Sequence, residues 1–451
     1  MSTLPRPVQA IAPDPGATPT VGAPLVVRTV ELDDPGPLLD LLPLPLRRGR
    51  LNPAGLVSWV RRGEGLVGWG EAVGFRTRGP QRFAEADAWW RHTAAHAVVR
   101  DEIGMPGTGP VCFGTFPFAD DSAAQATLVV PSVLVGHRAG RWWVTTSSHG
   151  PTPMPLPAAQ PAPWPPTEVS FADGALSSAQ WAARVAEAVE RITAGALDKV
   201  VLARDLLVEA AEPIDPRWVL QALARRYDNT WVFAVDGMLG ATPELLVRRE
   251  RGLVTSRVLA GTIRRTGDDA KDLGLAASLA RSSKDLEEHE YAVRSVADAL
   301  APHCSSTNVP ESPFVLHLPN VMHLATDVTG VASDDVTSLT LAASLHPSAA
   351  VGGTPTREAV GLIAELEGMD RGRYAGPVGW TDASGDGEWG IALRSGSYEN
   401  HGARQLRIFA GCGIVAGSDP EAEVSEADAK FVPMRDEIGR ASCRERVCEL
   451  V

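Results

Sequence analysis

Residues 231–249 read WVFAVDGMLGATPELLVRR. Two strand-like runs, 231–236 and 244–249, lie close together, linked through Gly237 and Gly240. Working outward, LDKVVLARDLLVEA at 197–210 is a strand by its β-branched content, and further strands are expected at 321–330, 376–381, 389–395 and 405–410. Upstream, residues 177–196 carry Trp181, Val185, Val189 and Ile192 at helical spacing, with Ser177 and Ser178 as cap candidates. One long amphipathic helix is predicted over 271–300, its stripe made by Leu279, Leu286, Val293, Val296 and Leu300, and another over 420–430. Strands and helices alternate irregularly, with several adjacent hairpins. This pattern predicts an α+β chain built on a two-sheet β-sandwich with flanking helices, not a doubly wound parallel sheet.

The remaining chain divides by composition. Residues 1–24 are a Pro/Ala-rich tail without expected order. Residues 25–150 mix short strands (around 25–27, 127–130 and 142–144) with a helix near 84–100, and read as an α/β portion of the same sandwich. Residues 151–166 hold eight prolines, which exclude helix and make an extended connector. The region 167–435 carries the candidate chemistry. The end, 436–451, holds two of the five cysteines, and back-translation of Glu437–Ala441 matches a common sequencing-adapter read; it is read as a non-native or frayed tail without function. The net charge of −13 argues against a nucleic-acid or acidic-membrane binder. No apolar run reaches a transmembrane length, no basic-then-apolar leader opens the chain, and no CxxC pair is present, so a soluble cytoplasmic protein is expected.

Four lysines, Lys199, Lys271, Lys284 and Lys430, stand among 42 basic residues. Arginine stays protonated in proteins, so any task that needs a neutral amine has few candidates. Lys199 shares a strand face with Val201 and Ala203. A lysine at a strand start is usually solvated; as a general base it would need a pKa near ~7–8. Glu244 follows a Gly/Pro loop at a strand start, where a carboxyl can act as general acid or merely face water. Lys284 and Glu288 fall four apart, and Glu423, Glu426 and Lys430 share one helical face. Glu288 and Glu426 could jointly hold a hard cation such as Mg²⁺, although spacing alone favours surface charge. The segment FAGCGIVAG is spaced GxGxxxG and is followed by too little chain for a dinucleotide site, so its glycines are read as backbone approaches to an anion. GxxxxGK[ST] and HExxH are absent, and His289, His317, His323 and His346 form no ligand pattern.

Nine collinear stretches between Lys199 and Lys430 resemble the chorismate-utilising enzymes: DKVVLAR, GATPELLVRR, VLAGTIRR, SSKDLEEHE, NVMHLATDVTG, LHPSAAVGGTP, DRGRYAGPVGW, GDGEWGIALRSG and FAGCGIVAGSDPEAEVSEADAK. The resemblance implies that family's fold and a role for each matching residue. Lys199 would activate a water for attack at ring C2, and Glu244 would protonate the departing C4 hydroxyl. Glu288 and Glu426, with Glu423 nearby, would hold Mg²⁺ against the ring carboxylate. Gly261, Thr262 and Gly411 would line that site, Arg394 and Tyr374 would meet the enolpyruvyl carboxylate, Lys430 would be a further anion contact, and His323 would hydrogen-bond the substrate. Ammonia-adding members typically carry Gln where Lys199 stands, and aminodeoxychorismate synthases a Lys where Ala260 stands. Water is therefore the expected nucleophile, with no glutaminase partner, and a monomer is implied. The activity implied is isochorismate formation for menaquinone or siderophore biosynthesis, with menaquinone preferred; salicylate formation by further pyruvate loss is the alternative, and a non-catalytic chorismate-binding scaffold is disfavoured. Departures occur at LHPSAAVGG, at Leu286 where Arg is common, and at Cys412 where Ala is usual.

Overall fold

The computed structural model describes residues 23–150, 154–317, 321–399 and 402–445; the side chains of Lys284, Glu288 and residues 440–445 lie outside that description. Two large, mostly antiparallel sheets form the centre, thirteen-stranded and ten-stranded among the described residues. The first runs from Ser170–Asp173 through Lys199–Glu209, Gln405–Ile414, Ser395–Tyr398, Met238–Thr242 and Trp231–Val235 into Leu56–Arg61, and ends at Val98–Asp101. The second runs from Cys304–Asn308 through Val321–Ala332, Leu253–Arg264, Leu245–Glu250, Gly387–Ile391 and Pro377–Asp382 into Val111–Thr115, and ends at Val73–Thr77. Each sheet therefore joins one block of early strands to one block of late strands at a single seam. Val232 pairs with Val60 in one, and Gly379 with Gly114 in the other. The segment 25–150 completes the sandwich, and residues 154–166 add neither helix nor strand.

The expected α+β sandwich is present, with several corrections of detail. Between 231–236 and 244–249 lies a further strand, Met238–Thr242, which turns back on Trp231–Val235 at Asp236-Gly237. Both residues of that turn have positive φ, the geometry a two-residue hairpin needs. The helix expected over 271–300 is two helices, Asp269–Leu279 and Ser283–Leu300. Ser282 breaks it, because its hydroxyl accepts from the Asp285 amide and caps the second helix. Ser177, not Ser178, caps Ser178–Thr193, in a reciprocal box with Gln180. The last helix runs Pro420–Glu445, well beyond 430. Residues 436–439 are docked, with Ile438 fully buried and Trp218 donating its indole N–H to the Glu437 carbonyl at 2.9 Å. Residues 1–22 and 446–451 lie outside the described residues.

The fold places the site through two sheet-switching corners. The chain leaves the first sheet after Met238–Thr242 and enters the second at Leu245–Glu250, so Pro243-Glu244 is the corner. It returns between Gly387–Ile391 and Ser395–Tyr398, so Leu393-Arg394 is the reverse corner. The corners lock together: Ile391 N–H donates to the Glu244 carbonyl, and Ala241 N–H to the Arg394 carbonyl, both at 3.1 Å. Such corners open the sandwich and expose side chains that regular alternation would bury.

Candidate active site

A cavity of about 230 Å³ lies at these corners. Its lining includes Lys199, Glu244, Gly261, Thr262, His323, Tyr374, Arg394, Gly411, Glu423, Glu426 and Lys430. Eleven of the twelve residues singled out in the sequence thus meet in one place. The twelfth, Glu288, falls on the helix Ser283–Leu300 three residues beyond Asp285, which lines the cavity; its own side chain lies outside the described residues.

Lys199 begins the strand Lys199–Glu209 and is half-buried. The neighbouring strand gives it room. A Cβ built at Gly413 would stand 3.0 Å from Lys199 Cε, and one at Gly411 would stand 3.2 Å from the Tyr374 hydroxyl. Any side chain at either glycine would intrude on the cavity, so these glycines serve close approach. On the far wall, the register between Leu253–Arg264 and Val321–Ala332 slips at Gly261, which has φ +75°. This glycine bulge turns Thr262 toward His323, and Thr262 Oγ1 lies 3.0 Å from His323 Nδ1.

Charge in the cavity is sharply sorted. Burial pushes the Glu244 carboxyl up to about 8, although Lys199, Lys430 and Arg394 pull the other way. At neutral pH it is a protonated acid. Burial, reinforced by Arg394 and Lys430, drives His323 down to about 3, so it is a neutral imidazole. Burial holds Tyr374 up at about 12, and its ring stacks on Phe409 with centroids 4.9 Å apart. Glu426 goes the other way. Burial raises it, but Lys430, whose Nζ is 2.7 Å away, outweighs that with help from Arg394 and Lys199. It stays a carboxylate. Lys430 also donates to the Gly411 carbonyl at 2.8 Å. Arg394 has φ +47°, an unusual backbone for a non-glycine residue, imposed by the interlocked corners.

Donor atoms of Glu423, Glu426 and Cys412 lie within 4.8 Å of one another. Two carboxylate donors one helical turn apart, beside the cavity, suit a hard divalent ion. Burial holds the Cys412 thiol up at about 12. His289 stands apart from the cavity, its Nε2 2.7 Å from Thr326 Oγ1. The cavity also holds residues the sequence reading did not select: Asp285, Val351, Arg371, Leu393, Phe409 and Ser418. Arg371 lay within a quoted motif but was one arginine among many, and only its burial marks it out.

An amine, a protonated carboxyl, a carboxylate pair and a buried guanidinium around one small cavity define an enzyme that handles an anionic small molecule. The chain belongs to the chorismate binding enzyme family, whose pattern matches residues 55–153 and 156–439. Within it the chain is similar to isochorismate synthases. It is 31% identical to isochorismate synthase MenF of Bacillus subtilis over 404 residues, 83% of this chain and 85% of the relative. It is 42% identical to isochorismate synthase DhbC of the same organism over 267 residues, 56% of this chain and 66% of that relative. The structure of the menaquinone-specific isochorismate synthase MenF of Escherichia coli superposes with a TM-score of 0.75, at 24% identity, covering 92% of this chain and 95% of that one. Among the described residues no helix is long and apolar enough to cross a membrane.

Proposed function

We propose that this protein is an isochorismate synthase, converting chorismate to isochorismate by water attack at C2 with loss of the C4 hydroxyl. The observation that carries the reading is Lys199 and a protonated Glu244 lining one cavity of about 230 Å³. Lys199 takes a proton from water as the new C2–O bond forms. The ring double bond shifts and the C4–O bond breaks. Glu244 gives its proton to the departing hydroxyl, which leaves as water; Lys199 then releases to solvent the proton it took, and Glu244 regains one, so both groups are restored. Arg394 and Tyr374 hold the enolpyruvyl carboxylate, while His323 and Thr262 offer neutral hydrogen bonds. Glu423, Glu426 and Glu288 would hold Mg²⁺, which supplies charge neutralisation for the ring carboxylate. Water is the nucleophile, so no glutaminase subunit is required and a monomer suffices. The product is assigned to menaquinone biosynthesis, supported by an alignment to MenF that extends further along the chain than that to DhbC.

Incubation with chorismate and Mg²⁺, with chromatography of the products, tests this directly. Isochorismate is expected, and activity should vanish with EDTA. Salicylate as the end product would move the protein to the alternative activity, and no turnover would refute both. Glu426→Gln is expected to raise the Mg²⁺ concentration for half-maximal rate by about tenfold. An unchanged Mg²⁺ titration counts against that residue as a ligand.

A further inference from the structure

The strand Lys199–Glu209 is paired along one side by Gln405–Ile414, but its other side is covered only at its ends. Gly353–Thr354 pairs with residues 199–200, and Ser170–Asp173 with 206–209. Between them, Val201 and Ala203 direct backbone groups toward a position where, among the described residues, no strand lies. Val201 N–H finds the Gly352 carbonyl at 2.9 Å. The other partners are side chains: Arg371 Nη2 donates to the Val201 carbonyl at 2.6 Å, Ala203 N–H donates to Glu367 Oε1 at 2.6 Å, and Trp181 Nε1 donates to the Ala203 carbonyl at 3.1 Å. Buried backbone groups must be paired, and here an ion pair does what a neighbouring strand would do.

Glu367 and Arg371 are 2% and 4% exposed. Arg371 Nε lies 2.9 Å from Glu367 Oε2, and its Nη1 donates to the Val351 carbonyl at 2.9 Å. Its guanidinium lies over Phe118, 4.3 Å from the ring centroid, and its own carbonyl accepts from the Tyr374 amide at 3.1 Å. Two walls of the cavity therefore hang on one planar fork, the strand that starts at Lys199 and the loop through Val351, while the backbone carbonyl of the same residue holds the turn that carries Tyr374.

We propose that the Glu367–Arg371 pair is a positioning device for catalysis, standing in for missing strand and fixing Lys199 relative to Val351 and Tyr374. This rests on the reading of Lys199 as the base. Neither residue is assigned to the chemistry, and the pair acts through the backbone it holds. Lysine at 371 would be a single point donor, unable to reach Glu367, Val201 and Val351 together. Small displacements of a catalytic group are costly: Arg371→Lys is expected to lower kcat by about 30-fold while the chorismate KM stays within about threefold.

The comparison is another buried clip. Arg217 pairs with Asp215 at 2.6 Å and donates to the Pro161 carbonyl, and neither member lines the cavity. Arg217→Lys should lower the melting temperature by a similar amount yet keep kcat within about twofold, since a clip remote from the reacting groups moves none of them. The wild-type rate is measured first: inert wild-type protein would refute the proposed function, whereas an active wild type isolates the clip. If Arg371→Lys loses no more kcat than Arg217→Lys at matched thermal loss, the pair is only structural and the proposal fails. Should Arg371→Lys not fold, Glu367→Gln, which keeps the Ala203 acceptor but loses the charge, is judged by the same rule.

Discussion

Lys199→Ala is expected to lower kcat for chorismate by about 10²–10⁴-fold, the range a positioned general base supplies, with the dissociation constant for chorismate changed little. The two effects separate because the proposed mechanism puts the anchors for a dianion on other lining residues, Arg394, Lys430 and Tyr374. Alanine also leaves the surrounding geometry intact, since Gly413 provides the space that Lys199 fills. Steady-state rates and equilibrium binding on the same preparation check both halves. Wild-type-like turnover would remove the base from the mechanism, and lost binding would recast Lys199 as an anion contact.

Glu244→Gln should cost a comparable factor in kcat, again about 10²–10⁴-fold, because Gln keeps the shape but has no proton to give. Its effect on stability runs the opposite way. Unfolded, the carboxyl ionises near 4.5; folded, near 8. Between those values the native state holds a proton that the unfolded chain has released. Stability therefore falls as pH rises from 4.5 through 8, and the full penalty remains above 8. Gln escapes it, so the variant should be more stable than wild type at pH 9, by on the order of a few kcal/mol, and gain almost nothing at pH 4. Wild-type kcat should decline as pH passes 8, when the acid form is lost. Thermal melts of both proteins at the two pH values decide the matter. A stability difference independent of pH would mean Glu244 is ionised in the fold.

The sandwich was legible because strand runs such as 197–210 and 405–410 carry their β-branched and apolar residues openly. Met238–Thr242 was hidden because MLGAT has two small residues and a glycine, with packing rather than propensity making it a strand. The helix break at 280–282 escaped notice because the apolar stripe keeps its phase across the cap at Ser282. For the site, residues in quoted motifs could be named one by one. Their convergence could not be derived from spacing, since Glu244 and Arg394 meet through two sheet-switching corners 150 residues apart in sequence. Arg371 was invisible for a different reason. An acidic residue followed four later by arginine ordinarily reads as a solvated helix pair, and only the gap beside Val201 and Ala203 makes it otherwise.

The seam between early and late strands in each sheet has a bearing on how the chain is made. The strand Leu56–Arg61 emerges long before Trp231–Val235, and Val111–Thr115 long before Pro377–Asp382. During synthesis the first third presents open hydrogen-bonding edges whose partners do not yet exist, the condition in which nascent β-structure sticks to its neighbours. Closure over such distances is slow. The edge of Val111–Thr115 that Pro377–Asp382 later covers thus stays open to other chains until residue 382 has been made.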